Sequence, residues 1–146
     1  MTILERIDAS FKEAMKAKDE LRLSVLRMMR TSLKNRQIEV QHELEETEIV
    51  LVLRSMIKQY QDAITDFQSA SRQDLIDRQQ KEIDIIVAFL PPPMPLEELT
   101  RLVREAIEAA QVTEVGKAMG VAMKAVAGKA DGKDVRAIVE AYFAHS

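Results

Sequence analysis

Phe89-Leu90-Pro91-Pro92-Pro93-Met94-Pro95 divides the chain. Proline lacks the amide hydrogen that a helix needs and pushes the residue before it out of the α region. Pro91 therefore stops the helix leading into Leu90, and three consecutive prolines favour an extended, stiff connector. Pro95 suits the first turn of a following helix, where its missing donor costs nothing. The resulting expectation is an all-α protein. An N-terminal four-helix domain covers residues 1–90, a proline-rich connector covers 91–95, and a small three-helix domain covers 96–146.

On the N-terminal side, Thr2 and Glu5 have the spacing of a capping box. Leu4, Ile7, Phe11, Ala14 and Met15 recur at helical spacing as far as about Lys18. Asp19 caps a second helix to about Gln41, with Leu21, Val25, Met28, Met29 and Leu33 as its apolar face. The acidic stretch from Glu43 to Glu46 reads as a connection. Thr47 then starts a long helix with Ile49, Leu53, Met56, Ile57, Tyr60, Ile64 and Phe67 inward. Ser71 with Asp74 opens a fourth, carrying Leu75, Ile76, Gln79, Ile83, Ile86 and Val87.

On the C-terminal side, Leu99, Leu102, Val103, Ala106, Ile107 and Ala110 give the fifth helix its face. Thr113 caps a sixth, with Val115, Met119, Ala122 and Val126 inward and Gly128 as its end signal. Asp131 caps a seventh, with Val135, Ile138, Val139 and Tyr142 inward.

Composition agrees with helices. Apolar residues make up 47% of the 146, enough for a packed core, yet only 4% are aromatic and glycine and proline number four each. That leaves too few turn residues for a β-sandwich. The absence of cysteine excludes disulfides and thiol catalysis. Glu5 and Asp8 interrupt the apolar run that a signal peptide needs, and no stretch reaches the ~20 apolar residues of a membrane span. A cytoplasmic protein with no membrane partner is the expectation.

Charge is uneven. The net charge of −3 argues against a general nucleic-acid coat. Between Leu21 and Ile38, however, lie Arg22, Arg27, Arg30, Lys34 and Arg36 with no acid. Between Gly116 and Arg136 lie Lys117, Lys124, Lys129, Lys133 and Arg136 against Asp131 and Asp134. Lys117 and Lys124 are seven apart and share a helix face opposite the apolar one. Arg27, Arg30 and Lys34 fall on one side of the second helix, roughly opposite its apolar stripe, whereas Arg36 falls nearer that stripe and should snorkel or pair with an acid. Arginine forks and lysine charges both suit phosphate, although a solvated, salt-bridged face explains such residues too.

Recognised enzyme signatures are missing: there is no GxGxxG, no GxxxxGK[ST] and no GxSxG. A nucleophile–histidine pair would need His42, in the acidic connection, or His145, beside the C-terminus. Glu43, Glu45, Glu46 and Glu48 lack the pattern of a calcium loop and read as a solvated connection. Neither a metal nor another cofactor is expected, and no catalytic residue is assigned. Gly116 and Gly120 each cost the sixth helix about 1 kcal/mol relative to alanine. Close helix–helix packing is the first explanation and close approach of a partner the second. The string from Lys129 to Lys133 places lysines beside a helix N-terminus, whose free amides attract anions.

These residues carry a resemblance. Leu21-Arg22-Leu23-Ser24, Leu26-Arg27-Met28, Arg72-Gln73-Asp74-Leu75 and Phe89-Leu90-Pro91 are similar to segments of the GatB/YqeY family. So, above all, are Gly116-Lys117-Ala118-Met119-Gly120 and Gly128-Lys129-Ala130-Asp131-Gly132-Lys133. The resemblance implies a free-standing YqeY-like protein whose C-terminal part is similar to the tail of the GatB subunit of the tRNA-dependent Asp/Glu amidotransferase. In that enzyme the tail helps hold tRNA, while the kinase and amidase chemistry sits in domains this chain lacks. Lys117, Lys129 and Lys133 match basic or motif positions, and Gly116, Gly120, Gly128 and Gly132 match the motif glycines. Family members commonly carry proline and further lysines between the two motifs, where this chain has Lys124, Ala125 and Ala127.

The leading expectation is a non-catalytic accessory protein that binds tRNA or another structured RNA through its C-terminal domain. The nucleic-acid-binding candidates are Lys117, Lys124, Lys129, Lys133 and Arg136, with Arg27, Arg30 and Lys34 as a second group. The alternatives are a protein–protein adaptor and a carbon–nitrogen ligase using glutamine as amido donor within an amidotransferase complex.

Overall fold

The computed structural model describes residues 1–144, and over these the chain forms seven helices and no strand. It separates into two compact units, Met1–Leu90 and Pro91–Ser146.

In the first unit, α1 spans Ile3–Ala17 and α2 spans Glu20–Val40. The Thr2 hydroxyl accepts the Glu5 N–H at 3.1 Å, which satisfies one of the free amides of a helix start. Lys18 turns left-handed at φ 55°, and the Asp19 N–H returns to the Ala14 carbonyl at 3.0 Å. The Asp19 carboxylate then accepts the Arg22 N–H at 3.2 Å. One residue thus closes one helix and opens the next, which forces α1 and α2 into a tight hairpin.

The long helix α3, Glu46–Ser69, has Glu45 rather than Thr47 as its N-cap. The Glu48 carboxylate accepts the Glu45 N–H at 3.1 Å, so the acidic connection caps its own helix. Glu46 reaches across to α1, where the Ile3 N–H donates to its two carboxylate oxygens at 3.2 and 3.4 Å. A negative group at a helix N-terminus is favourable by charge as well as by hydrogen bonding. Glu46→Ala is expected to lower stability by about 1 kcal/mol in urea denaturation, and Glu46→Gln, which keeps an acceptor, by less.

Helix α4, Gln73–Val87, has Arg72 rather than Ser71 as its N-cap. Ser71 instead takes the left-handed turn conformation, with the Arg72 N–H bonded to the Phe67 carbonyl at 3.0 Å. Arg72 and Asp74 form two parallel hydrogen bonds at 3.1 and 3.0 Å, and the guanidinium holds that carboxyl below its ordinary value. Past the end of α4, the Arg6 guanidinium donates to the Ala88 carbonyl at 2.9 Å and lies 5.5 Å from the Phe89 ring centre. Phe89 is itself buried, so this contact fixes the end of the unit against α1.

The core of this unit includes Ile7, Leu23, Val25, Leu26, Met29, Leu33, Leu53, Met56 and Ile86. It departs from the expected stripes in all four helices: in α3 Val50 is buried, and in α4 Val87 is 47% exposed. In α1, Ile3 is buried, whereas Leu4 is 46% and Met15 54% exposed. In α2, Leu23 and Leu26 are buried, and Met28 is 50% exposed. The cause is that α2 touches α1, α3 and α4, so its covered arc is wider than one stripe and is turned away from Met28.

The second unit comprises α5 (Leu96–Ala110), α6 (Val115–Val126) and α7 (Gly132–Ala144), each packed on the other two. Residues 91–95 form no helix, and Pro95 supplies the carbonyl that accepts the Leu99 N–H at 2.9 Å. Glu114 rather than Thr113 precedes α6. Ala127 and Gly128 both take positive φ, 48° and 79°, to end it. The core is Leu99, Val103, Ile107, Ala118, Ala122, Val126, Ala130, Val135 and Val139. Fully buried Ala118 and Ala122 let α6 approach its neighbours closely, while Val115 stays exposed.

Candidate functional site

Helix α6 carries the most distinctive surface. At 3.6 residues per turn, Gly116, Gly120, Lys124 and Lys117 fall within about 100° of arc, opposite Ala118, Ala122 and Val126. A Cβ built on Gly116 or Gly120 would meet nothing within 4 Å. The expectation that these glycines serve internal packing is therefore overturned, since buried alanines serve it instead. Two glycines lie on an exposed helix face with room for a side chain, beside two lysines. Lys117 makes a loose contact of 4.0 Å with Glu114, both ends largely in solvent. An exposed pair of that kind leaves the lysine available to another anion.

The turn into α7 is built differently from the free helix terminus that the sequence suggested. The Asp131 side chain accepts the Lys133 N–H at 3.4 Å, and its carbonyl accepts the Asp134 and Val135 N–H groups at 3.1 and 3.2 Å. A carboxylate thus already stands where a phosphate would have to bind, so this terminus is a cap first. Gly132 packs against the Met123 side chain, with neighbouring atoms 3.8 and 3.9 Å from the position of a Cβ. Gly128 supplies the left-handed turn. These two motif glycines are thus structural. Lys129 and Lys133 are exposed, and Arg136 is 3.7 Å from Glu140 one turn along α7.

The second basic group sits elsewhere, in the first unit. Arg27, Arg30 and Lys34 are exposed, but they flank the buried arc of α2 next to α1 instead of lying opposite it. The Arg30 and Arg27 guanidinium groups lie 4.5 and 5.9 Å from the Phe11 ring centre. Arg30 is also 3.7 Å from Asp8. Phe11 and Asp8 could not be tied to this basic group from sequence, because only the hairpin at Lys18–Asp19 brings them beside α2. Arg36 pairs with Glu39 at 3.0 Å, as an acid partner was expected.

His42 is exposed, with Nδ1 2.8 Å from the Glu43 carbonyl and Nε2 3.6 Å from Glu48. His145 lies outside the described residues. Among the described residues no group of three His, Cys, Asp or Glu side chains could hold a metal ion, and no helix is long and apolar enough to cross a membrane.

The description "Yqey-like protein" matches residues 4–143, almost the whole sequence. The chain belongs to the YqeY-like family. Its relatives include two fungal proteins called "Altered inheritance of mitochondria protein 41, mitochondrial". The one from Pyrenophora tritici-repentis is 24% identical over 132 residues, covering 88% of this chain and 73% of the relative. The one from Saccharomyces cerevisiae is 28% identical over the same length, covering 88% and 70%. A protein of that name from Lachancea thermotolerans is 36% identical over 80 residues, 54% of this YqeY-like chain and 43% of the relative. These names overturn the cytoplasmic expectation, because they point to mitochondria. The sequence argument failed because a lack of cysteine suits any reducing compartment and does not tell one from another. The family description and the relatives' names do not reach to RNA.

Proposed function

We propose that this YqeY-like protein binds tRNA or another structured RNA through the open face of α6, with an accessory role related to tRNA-dependent amidotransfer. The observation that supports the reading is the arc holding Gly116, Gly120, Lys117 and Lys124. Two glycines destabilise the helix, by up to about 1 kcal/mol each at interior positions, and fill no internal need. Bare helix backbone lets a phosphodiester chain approach closely, and flanking lysines neutralise it as point charges. Lys129, Lys133 and Arg136 are further exposed basic residues of the same unit.

Recognition would rest on phosphate and shape. Tyr142, one of the few aromatic residues here, is half-buried beneath Arg104 and offers no open stacking platform. The similarity of the two glycine–lysine motifs to the GatB tail points the same way.

The test is a titration of the full chain with tRNA at about 50 and 200 mM salt, followed by fluorescence anisotropy. Wild type should bind at low salt and weaken steeply at high salt. Replacing Lys117 and Lys124 by alanine should weaken binding and flatten the salt slope by about one unit per lysine that touches phosphate. Absence of binding at low salt, or an unchanged slope in the double variant, would refute the proposal.

A further inference from the structure

A groove of about 700 Å³ runs between α1, α2 and the connection from α2 to α3, wholly within the first unit. Leu33, Leu44 and Ile49 line its floor, and half-exposed Leu4 stands at its lip. Arg27, Arg30 and Lys34 form one wall, with Thr31 and Gln37 beside them. The acids facing them are Asp8 and Glu43. We infer that this groove is a docking site for an acidic segment of a protein partner that carries apolar side chains.

Three observations favour that occupant. The wall is preorganised: Arg27 and Arg30 stack on the same Phe11 ring, so little side-chain freedom is lost when a carboxylate arrives. The charge is incompletely balanced: Asp8 approaches Arg30 at 3.7 Å, whereas Lys34 makes no ion pair among the described residues. The floor is hydrocarbon, which rewards the burial of leucine-like side chains and does nothing for a phosphate chain. RNA fits less well. The one aromatic face at this wall, that of Phe11, is already covered by guanidinium groups and offers no base a stacking platform. Acidic residues alternating with apolar ones match both the wall and the floor, as in helix-in-groove recognition.

This site is independent of the α6 face, so its failure and that of RNA binding are separable. The experiment is a ¹⁵N NMR titration of the full chain with synthetic twelve-residue peptides. One repeats Glu-Glu-Leu-Leu, a second repeats Glu-Glu-Ser-Ser and a third repeats Lys-Lys-Leu-Leu; a twelve-nucleotide RNA is the fourth probe. The first peptide should shift amides of α2 around Arg27 and Lys34 and of Leu44, and the other two peptides should not. Lys34→Glu, at an exposed position, should weaken that binding about tenfold while a dispersed spectrum reports an intact fold, and Lys34→Arg should restore it. Three outcomes of the titration would overturn the inference: no groove shifts at millimolar acidic peptide, equal shifts with the serine peptide, or displacement of the peptide from the groove by the RNA. Self-association of the chain that Lys34→Glu abolishes would overturn it in favour of a second copy.

Discussion

Leu26→Ala should cost the N-terminal unit about 2–5 kcal/mol, whereas Met28→Ala, two residues away, should change stability by no more than about 0.5 kcal/mol. Leu26 is wholly buried among α2's neighbours, and Met28 is half in solvent. Truncating Leu26 removes the transfer free energy of the lost carbons and leaves a cavity that a helix held on three sides cannot collapse to fill. Truncating Met28 only exposes a surface that water already wets. Urea unfolding followed by circular dichroism measures both. Because the chain divides into two compact units, two transitions are expected, and the one that moves in Leu26→Ala should be the one that stays put when Val103, in the core of the second unit, is replaced by alanine. Equal costs for Leu26→Ala and Met28→Ala would show that the covered arc of α2 is placed wrongly.

That pair of residues also marks where the sequence stopped being legible. Helix ends written in local chemistry were readable, because a cap involves residues two or three apart: Thr2, Asp19, Gly128 and Asp131 all act where their side chains or backbone freedom predict. Where several acids stood together, local chemistry offered too many caps, and Glu45 took the place expected for Thr47. The apolar arc of α2 was ambiguous for a different reason. Leu21, Leu23, Val25, Leu26, Met28 and Met29 surround much of the helix, so periodicity alone allows more than one face. Which face is covered depends on three partner helices that spacing cannot orient. The candidate site shows the same division. The shared arc of Lys117 and Lys124 follows from helix geometry alone, but the stacking of Arg27 and Arg30 on Phe11 needs the α1–α2 hairpin first.

The hardest feature to read was also the most informative. Gly116 and Gly120 are four apart, and so are Ala118 and Ala122; either pair could have been the strip along which helices meet. The structure gives that task to the alanines and leaves the glycines facing open space. Replacing both glycines by alanine is therefore expected to stabilise the second unit. Most of the gain, about 1 kcal/mol, should come from Gly120 in the helix interior, and less from Gly116, the second residue of α6, where the helical constraint is weaker. For a unit this small the thermal midpoint should rise by about 4–8 °C for each kcal/mol. No contact opposes the change, since the new methyl groups meet no neighbour. The same methyl groups would hold a phosphodiester backbone farther from the helix and from Lys117 and Lys124. Affinity for tRNA should thus fall as stability rises, a pairing of signs that general damage to the fold cannot produce. If calorimetry finds the rise in midpoint and anisotropy finds unchanged tRNA affinity, close approach to the glycines is not how this protein binds RNA.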